Sequence, residues 1–254
     1  MIYFIGAGPG APDLITVRGA ELLRRAGMIV YAGSLVNPAL LDYAPEGCEI
    51  HDSASLTLDE VMERLLDGHR RGLLTMRLHT GDPSLYGAIR EQMDRLRDAG
   101  VPFEVVPGVS SFCAAAAAIP AEYTLPGVSQ TVIISRMEGR TPVPERESIR
   151  SLAAHRASMV LFLSAGMLEG LCAELTAGGY PPETPAALVY RASWPEERVL
   201  RGTLADLPSL AREAGISRQA LVMVGDFLGD EYALSKLYDS GFSHGYRKSR
   251  EAPK

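Results

Sequence analysis

The sequence predicts an α/β protein of two consecutive domains, each a mostly parallel sheet with helices on its faces. Three observations carry this expectation. Short apolar runs alternate with amphipathic stretches along most of the chain. The amphipathic stretches carry helix start and stop signals. The alternation breaks once, in a segment holding two prolines and a glycine, and then resumes. A chain of 254 residues suits two small domains, and 46% apolar with 22% charged residues excludes a disordered chain.

In order, residues 2–5 read as a strand and 16–26 as a helix stopped by Gly27. Residues 28–31 are a strand. Thr57 and Glu60 form a capping box that opens a helix running to Arg71, before Gly72. A strand at 74–78, a helix at 85–99 ended by Gly100, and a strand at 103–106 follow. An alanine-rich helix occupies 114–118. The break falls at residues 120–127, which sets expected domains at 1–122 and 123–229. In the second, strands are expected at 131–135, 159–163, 187–190, 198–201 and 221–224. One helix there is opened by Pro144 and another by the Thr203–Asp206 segment. Residues 230–254 form a polar extension, whose part from Ser240 onward is net basic and expected to fray.

Composition removes several function classes. The net charge of −6 argues against a nucleic-acid or anionic-membrane surface. No run reaches the length of a membrane-spanning helix, and the first residues lack the basic and apolar regions of a secretory signal. Cys48, Cys113 and Cys172 are isolated, and the five histidines show no ligand spacing, so no metal is expected. A cytoplasmic protein is the expectation.

Three loops follow strand ends: Gly6-Ala7-Gly8-Pro9-Gly10, His79 to Gly87, and Pro107-Gly108-Val109-Ser110-Ser111. All three belong on one edge of one parallel sheet, where open α/β proteins bind small molecules. The first is not a dinucleotide fingerprint. Position 11 is Ala, and the second strand ends Tyr31-Ala32-Gly33-Ser34 with no ribose-binding carboxylate. No Gly-Lys-Ser/Thr occurs, which excludes a P-loop.

Residues 5–19 (IGAGPGAPDLITVRG), with Gly81-Asp82-Pro83 and Pro107-Gly108, resemble the class III tetrapyrrole methyltransferases. The segments 31–36 (YAGSLV), 79–83 (HTGDP), 130–133 (QTVI), 135–144 (SRMEGRTPVP) and 192–195 (ASWP) are similar to the branch acting at C11 of precorrin-4 or cobalt-precorrin-4. The resemblance covers roughly residues 1–229. It implies the tetrapyrrole methylase fold: two αβα domains with mixed, mostly parallel sheets and the active site in the cleft between them. It also implies S-adenosyl-L-methionine as cofactor, S-adenosyl-L-homocysteine as product, a tetrapyrrole substrate, a role in cobalamin biosynthesis, and a homodimer.

Carried over by position, the cofactor contacts are Pro9, Gly81, Asp82, Leu85, Ser110, Ser111, Ser164 and Ala192. Asp82 has a second reading, as an Asx-turn residue before Pro83. The substrate is a flat polycarboxylate, so a chain of negative net charge must gather arginines to hold it. Arg136, Arg140, Arg191 and Arg198 are the candidates, with Arg201 beside them, and Arg136 and Arg140 share the SRMEGRTPVP motif. Trp194, the sole tryptophan, is expected to pack under the cofactor site. The resemblance implies that some relatives that methylate uroporphyrinogen carry a carboxylate in place of Gly33. Its absence leaves Ser34, His79 and Tyr86 as polar neighbours, with Tyr86 and His79 the catalytic candidates. The expectation is that no single side chain is an essential acid or base. Competing readings are a same-fold enzyme acting on another corrin precursor, on RNA or on protein, and a non-catalytic tetrapyrrole carrier.

Overall fold

The computed structural model describes residues 1–249. The last five residues of the expected extension lie outside them. The chain packs as two units. Unit one holds residues 1–119 together with 189–199 and 219–221; unit two holds 120–188, 200–218 and the residues from 222 onward. Where the sequence suggests one cut, the chain thus returns twice to unit one. The reason is local: residues 193, 194 and 219 hydrogen-bond to Ala11, Pro9 and Ser34.

Unit one is built on five parallel strands: β1 (Ile2–Gly6), β2 (Met28–Tyr31), β3 (Glu49–Asp52), β4 (Thr75–His79) and β5 (Phe103–Val106). Their order is β3-β2-β4-β1-β5. The register pairs Gly6 with His79 and Tyr31 with both Leu78 and Asp52, so these strand ends share one edge. The helices are α1 (Val17–Leu23), α2 (Leu58–Arg70), α3 (Ile89–Asp98) and α4 (Ser111–Ala118). Alternation along the strands divides two cores. Ile5, Ile29, Met76 and Leu78 pack with Ala20, Leu22 and Leu23 of α1, while Ile2, Phe4, Met28 and Val30 pack with Val61, Met62 and Leu65 of α2 and with Leu96 of α3. The Thr57–Glu60 capping box forms in both directions, an arrangement worth about 1 kcal/mol.

Unit two contains most of a second sheet of order β6-β7-β10-β8-β9. Its strands are β6 (Val132–Arg136), β7 (Ser158–Phe162), β8 (Pro185–Tyr190), β9 (Arg198–Thr203) and β10 (Ala220–Val224). β6 and β7 run parallel, and β7 and β10 antiparallel, so the sheet is mixed. Its helices are α5 (Ile149–Ala153), α6 (Leu168–Ala177) and α7 (Leu207–Glu213).

Four expectations are corrected. α3 begins at Ile89, not at residue 85, because Tyr86 and Ala88 take left-handed backbone conformations (φ 57° and 48°) that no helix accommodates. β3 had no predicted counterpart; its short edge sequence EIHD does not read as an apolar run. Pro144 precedes only a single 3-10 turn, and α5 is capped instead by Ser148, whose hydroxyl accepts from the Ser151 amide. The extension is hydrogen-bonded among its described residues. The Ala233 amide donates to the Pro126 carbonyl, and Arg247 donates to the carbonyls of Leu237 and Asp239. Nor is it simply polar, since Tyr232, Leu234, Leu237, Tyr238, Phe242 and Tyr246 are exposed.

Candidate functional site at the carboxyl edge of the first sheet

The three predicted loops meet at this edge, backbone against backbone. Gly8 and Gly81 bridge through paired hydrogen bonds, Gly8 N to Gly81 O at 3.3 Å and Gly81 N to Gly8 O at 2.8 Å. A Cβ on Gly6 would lie 2.5 Å from the Gly108 backbone, so neither of these loops admits a side chain here. The result is a floor of closely packed main chain with no side chains standing on it.

Asp82 clasps two of the loops. Its Oδ1 accepts from the Ser84 amide (2.8 Å) and hydroxyl (2.5 Å), forming the anticipated Asx turn. Its Oδ2 accepts from the Gly108 amide at 2.9 Å, in the loop after β5. Burial pushes its pKa up, but the bonds from Ser84 and Gly108 outweigh this and hold the carboxyl below its ordinary value. Leu85 closes the turn by donating its amide to the Asp82 carbonyl. Ser110 is the buried N-cap of α4, and no side chain caps that helix, which leaves first-turn amides directed at the edge.

Beneath the edge lies a residue that sequence reasoning missed. Arg77 is 6% exposed and has no carboxylate partner among the described residues. Its Nε donates to Gln92 Oε1, and one terminal nitrogen donates to the Val30 carbonyl and to Ser53 Oγ. Gln92 in turn donates to the Ala88 carbonyl. One buried cation therefore braces β2, the residue after β3, and the loop entering α3. Burial lowers its pKa to about 10, so it stays charged at neutral pH. Its only sequence signal is a charged residue inside an apolar strand.

His79 does not sit as a catalytic base should. It is 5% exposed and stacks on Phe4, with ring centroids 6.1 Å apart. Burial first, and then the Arg77 charge, depress its pKa to about 3, so it is neutral, and Nε2 has no hydrogen-bond partner. The alternation of β4 turns it to the same face as Arg77, under the edge rather than on it. Tyr86, by contrast, is exposed on the loop.

The returning segments complete the edge within unit one. Trp194 Nε1 donates to the Pro9 carbonyl at 3.0 Å, its ring lies against Gly10, and Ser193 Oγ accepts from the Ala11 amide. Ala192 is buried beside them. Asn37 Nδ2 donates to the Gly10 carbonyl. An open hollow of about 530 Å³ lies among Ala11, Pro12, Asn37, Ser193, Trp194 and Glu196. Arg191 is held from several sides. Its Nε donates to Gln219 Oε1, its guanidinium stacks over Tyr190 and Trp194, and Glu196 lies 3.4 Å away. Gln219, another residue the motifs passed over, donates onward to the Ser34 carbonyl. Arg198 stacks on Tyr190.

In unit two, Ser164 is fully buried. Its hydroxyl accepts from the Met137 amide and donates to the Phe162 carbonyl, so it anchors the SRMEGRTPVP loop to β7. Arg136 donates to the carbonyls of Met137, Thr141 and Pro142, so its charge organises its own loop. Arg140 is exposed and makes no hydrogen bond or ion pair among the described residues. Arg201 is exposed on β9. No group of three His, Cys, Asp or Glu is placed to hold a metal among the described residues, and no described helix is long and apolar enough to cross a membrane.

Comparison with known proteins adds the chemistry. Residues 1–208 match the family model of the tetrapyrrole (corrin/porphyrin) methylases. The chain is 49% identical to the cobalt-precorrin-4 C(11)-methyltransferase of Methanocaldococcus jannaschii over 98% of this chain and 97% of that one. It is 47% identical to the precorrin-4 C(11)-methyltransferase of Pseudomonas aeruginosa over 97% and 98%. The X-ray structure of a cobalt precorrin-4 methyltransferase superposes with a TM-score of 0.88 at 46% identity, covering 90% of this chain and 96% of that one. A Thermus thermophilus uroporphyrin-III C-methyltransferase complexed with S-adenosyl homocysteine superposes with a TM-score of 0.74 at 29% identity, covering 89% and 98%. On these matches the chain belongs to the tetrapyrrole (corrin/porphyrin) methylase family.

Proposed function

We propose that the protein is an S-adenosyl-L-methionine-dependent methyltransferase that methylates C11 of precorrin-4 or cobalt-precorrin-4, giving the corresponding precorrin-5 in cobalamin biosynthesis. The observation that carries this reading is the near full-length match to enzymes named for that reaction. The bound sulfonium supplies an electrophilic methyl group. The chain's own part is to bind and to orient. Gly81 and Pro9 leave room for the cofactor to approach the main chain, Asp82 ties the Gly81 loop to the Gly108 loop, and α4 directs amides from Ser110 and Ser111 toward a carboxylate. Leu85, Ala192 and Ser164 complete the proposed cofactor contacts. Arg140 is the uncommitted cation suited to a substrate carboxylate, with Arg191 and Arg198 as stacked partners and Arg136 shaping the loop. Orientation of this kind can lower a barrier by roughly 7–11 kcal/mol.

The protein works as a homodimer in the cytoplasm on this reading. Free Cys48, Cys113 and Cys172 suit a reducing compartment. The test is incubation with the cofactor and each substrate, metal-free and cobalt-loaded. The expected product is one methyl group heavier than its substrate. Transfer to neither substrate contradicts the proposal. Light scattering that shows a monomer at micromolar concentration contradicts the dimer.

A further inference from the structure

We propose that Asp52, at the end of edge strand β3, is the substrate-facing carboxylate of this site, accepting a pyrrole N–H of the macrocycle and the proton that methylation releases. The proposal rests on the methyltransferase reading above. Its first support is Gly33. A Cβ built there would overlap both carboxylate oxygens of Asp52. The carboxylate from β3 therefore fills the space that a side chain on the loop after β2 would take, and the sequence keeps that position bare.

The second support is the way the group is held. Asp52 Oδ1 accepts from the Gly33 amide at 3.1 Å and from the Ala54 amide at 2.8 Å. Oδ2 receives no hydrogen bond among the described residues, and the residue is exposed. One oxygen is thus fixed by the backbone and the other is offered outward. The adjoining residues are fixed too. Ser53 Oγ donates to the Tyr31 carbonyl and accepts from buried Arg77, while the Ser34 carbonyl accepts from Gln219, which holds Arg191. A carboxylate braced on both sides at the carboxyl edge of a parallel sheet is placed for a ligand rather than for an ion pair.

The third support is the proton balance. Methyl transfer forms a carbon–carbon bond at the substrate, and the electron pair of the broken S–CH3 bond stays on sulfur. The positive charge passes to the macrocycle, which regains neutrality by losing an N–H proton. Asp52 takes that proton and returns it to water. Asp82 has both oxygens committed to loop bonds, Glu196 is paired with Arg191, and His79 is buried.

The experiment compares wild type, Asp52→Asn, Asp52→Ser and the double variant Gly33→Asp/Asp52→Ser, which moves the carboxylate from β3 to the neighbouring loop. Asparagine keeps an oxygen for the Gly33 and Ala54 amides, so calorimetry should show unchanged S-adenosylhomocysteine binding. Its kcat should fall about 100-fold or more with little change in KM, the loss typical of a removed general base. The double variant should recover a substantial part of the rate lost in Asp52→Ser. Turnover of Asp52→Asn close to wild type overturns the proposal, as does a folded, cofactor-binding double variant no faster than Asp52→Ser. A wild type that methylates neither substrate overturns the methyltransferase reading, and this proposal with it.

Discussion

The glycine-lined edge of the first sheet and the arginine-bearing SRMEGRTPVP loop of unit two are both motif-dense, yet they are built in opposite ways. At the edge, main chain meets main chain. Gly6 and Gly108 pack without side chains, and Asp82 ties two loops through backbone amides. In the loop, side chains hold the main chain. Arg136 gathers three carbonyls and Ser164 one amide, while Arg140 is left to solvent. Motif glycines therefore mark a surface whose shape is fixed before any ligand arrives. Motif arginines must be separated into those that build the loop and those left for a substrate.

The largest expected effect breaks the first half of this contrast. Gly108→Val places a branched side chain against the Gly6 backbone, where nothing can yield. We expect a loss of about 3 kcal/mol or more and no cofactor binding, read by thermal melting and calorimetry. Normal melting would show that the loops are not packed as described.

Asp82→Ala comes next. It removes an acceptor for two backbone amides and one hydroxyl at a partly buried site. Cofactor binding should weaken by about 1–3 kcal/mol, because the loops lose their clasp. Unchanged affinity would reduce Asp82 to a local turn.

The acid response of stability tests the buried layer below the edge. Folded His79 titrates near 3 and unfolded histidine near 6.5. Between those values the unfolded chain binds more protons, so stability falls as pH falls, by about 1.4 kcal/mol per pH unit. His79→Leu should flatten the acid limb below pH about 6 by this contribution, in denaturant titrations at stepped pH. An unchanged slope would place the histidine nearer solvent than described.

The loop is sharpened by a pair. Arg140→Ala should raise substrate KM by about tenfold, equivalent to about 1.4 kcal/mol for one lost charge-assisted contact, with melting unchanged. Arg136→Ala should lower thermal stability as well. Equal behaviour of the two variants would erase the distinction between builder and anchor. Smallest of all, Arg90→Ala breaks an exposed, solvent-screened helical ion pair with Asp94 and should leave thermal melting essentially unchanged.

Much of this was legible in the sequence, for physical reasons. Alternating apolar runs predicted most strands, and the Thr57–Glu60 capping box announced its helix. Glycine loops at strand ends predicted where the edge would form. Three kinds of feature were not legible. The left-handed residues Tyr86 and Ala88 carry no glycine signal, so the sequence pattern places the start of α3 too early. Side-chain direction within a strand separates buried His79 from an exposed base, and a motif does not state it. Contacts between distant segments, such as Asp52 on Gly33 or Gln219 on Ser34, have no local pattern. Position 33 is itself no carboxylate, and the one beside it arrives from the neighbouring strand.

The most direct test of the central claim is transfer of an isotope-labelled methyl group from S-adenosyl-L-methionine to purified precorrin-4 and cobalt-precorrin-4, followed by carbon NMR of the product. The account predicts a single labelled methyl at C11 on at least one of the two substrates. A label at another carbon, or none on either substrate with a folded, cofactor-binding protein, would contradict it.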